Sequence, residues 1–134
     1  MAVSADGRVV LYMELPLIDC VSLIPVPESQ RQIITNLIQL YKYDFSEFAE
    51  IGSPYGEVGP DGRFTYEGLD RYWREDGWFA LTVEADSRFA GFVLANRWSA
   101  LNRVLDHSVA ECFVLRKYRR IGVGSRAARV LFDR

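Results

Sequence analysis

The residues best suited to chemistry stand together near the end of the chain, as Arg119-Arg120-Ile121-Gly122-Val123-Gly124-Ser125. Two glycines one residue apart let a backbone approach a ligand closely and take conformations that a Cβ disfavours. An apolar run precedes them and an amphipathic segment follows, so they form a strand-to-helix turn. A helix starting there directs its unbonded N–H groups and the positive end of its dipole into the turn, which prepares it for phosphate. Arg119 and Arg120 add guanidinium groups that bind phosphate as a planar fork. Two common phosphate motifs do not fit. A P-loop needs GxxxxGK[ST], and no Lys-Ser or Lys-Thr follows these glycines, which argues against nucleotide hydrolysis. Gly122-Val-Gly124-Ser-Arg-Ala127 has the spacing of a dinucleotide fingerprint. That fingerprint follows the first strand of a βαβ unit, with an acidic residue ~20 positions further on. Only about ten residues remain here.

Charge along the chain is uneven although the net charge is only −2. Between Asp44 and Asp76 nine carboxylates stand against three arginines; from Arg116 onward seven basic residues stand against Asp133 alone. The first region suits a cation and the second a polyanion, and a solvated surface accounts for either. Nucleic acid is a poor fit to Arg116-Lys-Tyr-Arg-Arg120, which is short, sits in a slightly acidic chain and has no aromatic stacking platform. Cys20 and Cys112 lie in apolar runs without CxxC spacing and read as reduced thiols, and no metal-ligand pattern occurs. No run approaches the ~18 apolar residues of a membrane span, and the N-terminus lacks signal-peptide features. The expectation is a soluble cytoplasmic protein.

The elements that position the loop follow from periodicity. With 134 residues the chain is read as one domain, residues 1–134, in which 1–17 form an N-terminal extension. Residues 8–15 alternate weakly as a strand, and Val21–Val26 form a better one. Ile33, Ile34, Leu37, Ile38 and Tyr41 recur at helical spacing, predicting an amphipathic helix from Glu28 to about Tyr43. A glycine-rich loop over residues 52–62 leads to a short helix, Tyr66–Arg74, capped by Gly77. Trp78–Glu84 and Arg88–Asn96 form a hairpin across Ala85-Asp-Ser87. Phe89 and Val93 on one face of its second strand, against Ala90, Phe92 and Leu94, predict a sheet covered on both sides. After a loop, Arg97–Asp106, come a strand at His107–Leu115 and a helix from Val123 to about Asp133. The order strand, helix, helix, three strands, helix gives an α/β class, an α+β mixed sheet flanked by helices.

Phe-Val-Leu at a strand end, then Arg-Lys-Tyr-Arg-Arg-x-Gly-x-Gly and a helix, resembles the (Gln/Arg)-x-x-Gly-x-(Gly/Ala) signature of the GNAT superfamily of N-acetyltransferases. The preceding order of elements is similar as well, and so is Leu40-Tyr-Lys-Tyr-Asp-Phe-Ser-Glu-Phe48 to a stretch in some bacterial members. The resemblance spans residues 18–134, about the first two-thirds of the fold. It implies acetyl-CoA as cosubstrate and no metal, with a primary amine of a small molecule or protein as acceptor. It implies pyrophosphate contacts at Arg119, Arg120, Ile121, Gly122, Val123, Gly124 and Ser125. A pantetheine arm would pair like a strand with Phe113, Val114 and Leu115. Members often place a carboxylate base on the fourth strand, where Glu111 stands. Counting back from the signature puts the commonest position at Ser108, however. Strict alternation sets Ser108 and Glu111 on opposite faces unless a bulge intervenes. A paired surface glutamate is the competing reading of Glu111. His107, the only histidine, starts the strand and reads either as a group able to titrate near neutrality or as a loop-edge residue without catalytic duty, and Asp44 and Glu47 as candidates for an amine-binding mouth or as solvated helix-end charges.

The family continues with a fifth strand, a helix bearing a tyrosine acid and a closing hairpin, so the resemblance leads us to expect a C-terminally truncated GNAT-like fold. A shortened chain, a truncated reading frame and a natural half completed by assembly stay open. The unpaired edge of the His107–Leu115 strand leads to an expected homo-oligomer. The alternative to an enzyme is a catalytically impaired CoA-binding or interaction module.

Overall fold

The computed structural model describes residues 2–3, 5–7, 9–10, 18–98 and 104–133. Near the N-terminus, β1 (Ala2–Val3) and β2 (Val9–Val10) pair antiparallel as a small ribbon. The rest of the expected 8–15 strand lies outside the described residues.

The main sheet has four strands: β3 (Val21–Pro25), β4 (Phe79–Ala85), β5 (Arg88–Trp98) and β6 (Val104–Val114). They lie in that order, and each neighbouring pair is antiparallel. The hairpin between β4 and β5 is tighter than the sequence suggests, because Ala85 pairs with Arg88 and only Asp86 and Ser87 turn. Both turn residues have positive φ, 48° and 66°. That is the conformation a two-residue turn takes to match strand twist. Asp86 then ties the hairpin tip to the start of β3, accepting the amides of Asp19 (3.1 Å) and Cys20 (2.8 Å) on one carboxylate oxygen.

Both faces of the sheet are covered, as the apolar strands require. The first helix, α1 (Arg31–Ser46), follows a 3-10 turn at Glu28–Gln30 and lays Ile34 and Ile38 against Phe92, Leu94 and Phe113. The last, α3 (Val123–Phe132), covers the opposite face, where Val123 and Ala127 meet Leu23, Leu81, Val83 and Val93. Fully burying an aliphatic or aromatic side chain contributes ~1.5–3 kcal/mol. Phe92, Ile34 and Leu94, each essentially inaccessible, therefore anchor the α1 side. No helix among the described residues is long and apolar enough to cross a membrane.

Three expectations need correction. The second helix, α2, is a single turn at Arg71–Arg74. It does not reach back to Tyr66, because Gly68 sits at φ +76° and breaks the helical path. Gly77 is not its cap: the helix ends against an extended Glu75, and Gly77 turns the chain toward β4. Ala90 does not share a face with Phe92 and Leu94. A bulge sets Val83 opposite Gly91 and Glu84 opposite Phe89, so Ala90 turns to the α3 side and Phe89 is left exposed. The strands around the expected 97–106 loop also run further, β5 to Trp98 and β6 back to Val104.

Candidate active site

Strand β6 carries both candidate parts of the site, one on its α1 face and one just past its end. Beyond Val114 the chain makes a 3-10 turn, Arg116–Tyr118, whose Tyr118 side chain is buried in the core beneath α3. Arg120 follows with φ +64°, a left-handed conformation uncommon for a side chain of its size. Gly122, at φ +84°, is the residue from which α3 starts. The first helical bond runs from the Arg126 amide to the Gly122 carbonyl, 3.0 Å. Helix geometry gives the amides of Val123, Gly124 and Ser125 no partner within the helix. Space beside Gly122 is open, since a Cβ built there meets nothing within 4 Å. At Gly124 a Cβ would make an ordinary contact, 3.7 Å, with a Val114 methyl group. Amides without a partner in the helix, open space beside Gly122 and a glycine at positive φ are what a pyrophosphate-binding turn needs, so the residues present fit the phosphates of a CoA.

The arginines beside the loop have protein partners that the sequence did not suggest. Asp44, near the end of α1, accepts from Arg116 Nη2 at 2.7 Å and Nε at 3.0 Å on one oxygen. Its other oxygen accepts from Arg119 Nη2 at 2.7 Å. These bonds, Arg116's first, hold the Asp44 carboxyl below the usual carboxylate range. Arg119 Nε also donates to the Val114 carbonyl, 2.7 Å, and its guanidinium lies 5.3 Å from the Phe113 ring centre. Asp44 thus clamps α1 to the loop. Arg120 remains exposed at the lip.

The second part is Glu111. Its register holds the answer to the Ser108 question. Leu94 pairs with Glu111, but the next residue, Ala95, pairs with Val109, leaving Ala110 as the extra residue of a bulge. Asn96 then pairs with Ser108. One extra residue between Ser108 and Glu111 restores their parity, so both take the face of Leu94, toward α1. There Glu111 meets two phenols. The Tyr41 hydroxyl from α1 donates to Glu111 Oε2, and the Tyr66 hydroxyl stands 3.5 Å from Oε1, at the outer limit of a hydrogen bond. Burial, followed by the hydrogen bond and charge of Glu111, drives the Tyr41 phenol well above its ordinary pKa. Tyr66 is driven up by burial, then by Tyr72 and Glu111. Two residues before Tyr66, the Gln39 side-chain amide brackets Phe64: its nitrogen donates to the Phe64 carbonyl and its oxygen accepts the Phe64 amide, both at 2.8 Å.

Of the residues the sequence singled out, β6 and its loop thus bring together Glu111, Phe113, Val114, Leu115 and the 119–125 turn. Glu47 lies on the helix-end surface beside Tyr43, Ser46 and Arg116. His107 is within β6, but its side chain lies outside the described residues. Sequence reasoning missed Tyr41 and Tyr66 as partners of the carboxylate. Tyr41 was visible only as part of an apolar stripe, and nothing local marks Tyr66. Among the described residues no cluster of three or more His, Cys, Asp or Glu could hold a metal ion.

Among the described residues, an antiparallel sheet covered on both faces ends in a strand that runs into a glycine turn opening a helix. Residues 37–134 match the family model described as Acetyltransferase (GNAT) family. The chain belongs to the GNAT acetyltransferase family, and its class of chemistry is acetyl transfer. Among solved structures it is similar to a ribosomal-protein-alanine N-acetyltransferase from Brucella melitensis biovar Abortus 2308. That match has 18% identity and TM-score 0.54, and covers 85% of this chain and 70% of that one. It is also similar to an aminoglycoside acetyltransferase from an uncultured soil metagenomic sample, at 14% identity and TM-score 0.49 with the same coverage. At 18% identity the first likeness speaks for the fold alone. No curated protein matches the chain.

Proposed function

We propose that this protein transfers an acetyl group from acetyl-CoA to a primary amine, with Glu111 as general base. The observation that supports the reading most is the bulge at Ala110, which turns the Glu111 carboxylate to the α1 face of β6, near the strand end that leads into the glycine turn. Acetyl-CoA, when bound, supplies an activated thioester. The turn at the start of α3, Gly122–Ser125, would hold its pyrophosphate, and Phe113–Leu115 at the end of β6 would hold the pantetheine arm. Glu111 would take the proton that leaves the acceptor nitrogen as the new N–C bond forms, while the thioester C–S bond breaks and the thiolate of coenzyme A leaves and takes up a proton from solvent. A positioned carboxylate base contributes about 10²–10⁴-fold to such a step.

A CoA-binding module without turnover is the second reading. Calorimetry with CoA, run beside steady-state acetyl transfer to small amines and to peptides with free amino groups, separates the two. We expect binding, turnover, and a 10²–10⁴-fold loss of kcat in Glu111→Gln with CoA affinity retained. Binding without turnover selects the module, and absence of CoA binding overturns both.

A further inference from the structure

We infer that Tyr41 is a positioning residue for Glu111, fixing the carboxylate at the β6 bulge in the orientation that the acceptor amine meets. The inference rests on the acetyl-transfer reading and adds to it a residue that itself touches no substrate. A glutamate on a strand at the edge of the described sheet has three side-chain torsions and would ordinarily sample several rotamers. Glu111 is instead held from α1. Tyr41 is caged by Phe92 and Phe113, each edge-on at 5.7 Å between ring centres, and by Phe45 at 4.9 Å. Ile34 and Ile38, on the same helix, are 0% and 1% exposed, so the helix that presents the ring is itself anchored in the core. The phenol therefore ends at a fixed point, and that point is Glu111 Oε2. An ionised carboxylate only accepts, so the hydroxyl must donate. The remaining lone pairs, and the oxygen that Tyr66 approaches more distantly, are left for an N–H of the acceptor.

Other charged and titratable groups around the pair come from each neighbouring element. Tyr66 and Tyr72 face Glu111 from the loop and α2, and Lys42 lies 5.8 Å from the Tyr66 ring centre. Arg116 and Arg119 are held by Asp44 three residues further along α1. The raised phenol of Tyr41 keeps its proton, and hence its donor, through neutral pH.

The test uses the full chain carrying Tyr41→Phe, which keeps the ring and its packing and removes only the hydroxyl. We expect kcat to fall roughly ten- to hundredfold, the range for a lost hydrogen bond to a charged group. KM for acetyl-CoA and the melting temperature should stay close to those of the parent. In a Glu111→Gln background the same change should add little, because the two residues act as one unit. Tyrosine-resolved NMR titration gives a readout independent of turnover. In Glu111→Gln the Tyr41 phenol should ionise at lower pH, since a negative charge and its hydrogen bond have been removed. Equal kcat in Tyr41→Phe and parent, additive losses in the double variant, or an unmoved Tyr41 titration each overturn the inference while leaving acetyl transfer standing. A parent protein that transfers no acetyl group overturns the proposed function and, with it, this role.

Discussion

The glycine turn and the Glu111 cluster lie at the same end of one strand and are built in opposite ways. The turn is assembled from consecutive residues, Arg116 to Ser125, and its working parts are backbone amides whose direction follows once a strand stops and a helix starts. The cluster gathers Tyr41, Tyr66 and Glu111, the first and last 70 positions apart, and its working parts are side chains aimed by three different elements. The turn needs correct residue types over a short span. The cluster needs correct register over the whole sheet. The two are joined by α1, where Tyr41 reaches the carboxylate and Asp44, one turn later, reaches the arginines of the loop. A shift of α1 along the sheet would therefore disturb both, whereas damage to either one alone should stay local.

The strongest way to break that separation is at Gly124. A Cβ there meets only a Val114 methyl at 3.7 Å, so the fold accepts a side chain at this position. The γ-methyl groups of Gly124→Val would instead stand where phosphate oxygens approach the α3 amides. Two lost charge-assisted hydrogen bonds, roughly 1.5–3 kcal/mol each, correspond to at least hundredfold weaker CoA binding. Calorimetry checks this, and a Tyr41 titration unchanged from the parent would show that the cluster had not felt the substitution. Full CoA affinity in a folded Gly124→Val protein would remove the turn from the cofactor site.

Gly91 offers the opposite test, a change that should strike both regions together. It pairs with Val114 across β5 and β6. A Cβ at Gly91 would lie 1.9 Å from the Phe113 carbonyl oxygen and 3.0 Å from the Val114 Cα, so backbone rather than a flexible side chain must give way. Overpacking of this kind costs about 1–3 kcal/mol. We expect Gly91→Ala to lose that much in urea unfolding and to weaken CoA binding and kcat alike, because β6 carries both sites. Unaltered stability would show that the two strands can separate without cost.

The smallest expected effect belongs to Asp44, the link between the regions. Its carboxyl is held below the usual range by Arg116 and then Arg119. A depressed carboxylate stabilises the fold above its unfolded value, ~4, and that contribution is lost as pH falls through the lower folded value. Asp44→Asn should therefore lower the melting temperature slightly at neutral pH and meet the parent's at low pH, which flattens the acid side of the profile. An acid limb identical to the parent's would mean that the bridge contributes nothing to folding.

The contrast between the regions also explains what was legible in advance. Helix α1, the β4–β5 hairpin and α3 are each governed by periodicity and turn residues within short windows, and they were placed to within a few residues. Helix α2 was overextended because apolar spacing at Leu69, Tyr72 and Trp73 outweighed Gly68, whose positive φ only the folded chain displays. The glycine turn was legible because its signature is local. The face of Glu111 was not, since a bulge leaves no mark in residue type: Ala110 is as ordinary in a regular strand as in a bulged one.

By itself the sequence determined the order of elements, a sheet covered on both faces and the position of the glycine turn, all of which depend on neighbours along the chain. Tertiary structure alone decided that Asp44 grips Arg116 and Arg119, that Gln39 brackets Phe64 and that Glu111 turns toward Tyr41. Those outcomes depend on the register of β6 against β5 and on the seating of α1 over the sheet. Both are set by the burial of Phe92, Leu94 and Phe113 among side chains distant in sequence, and no local pattern encodes them.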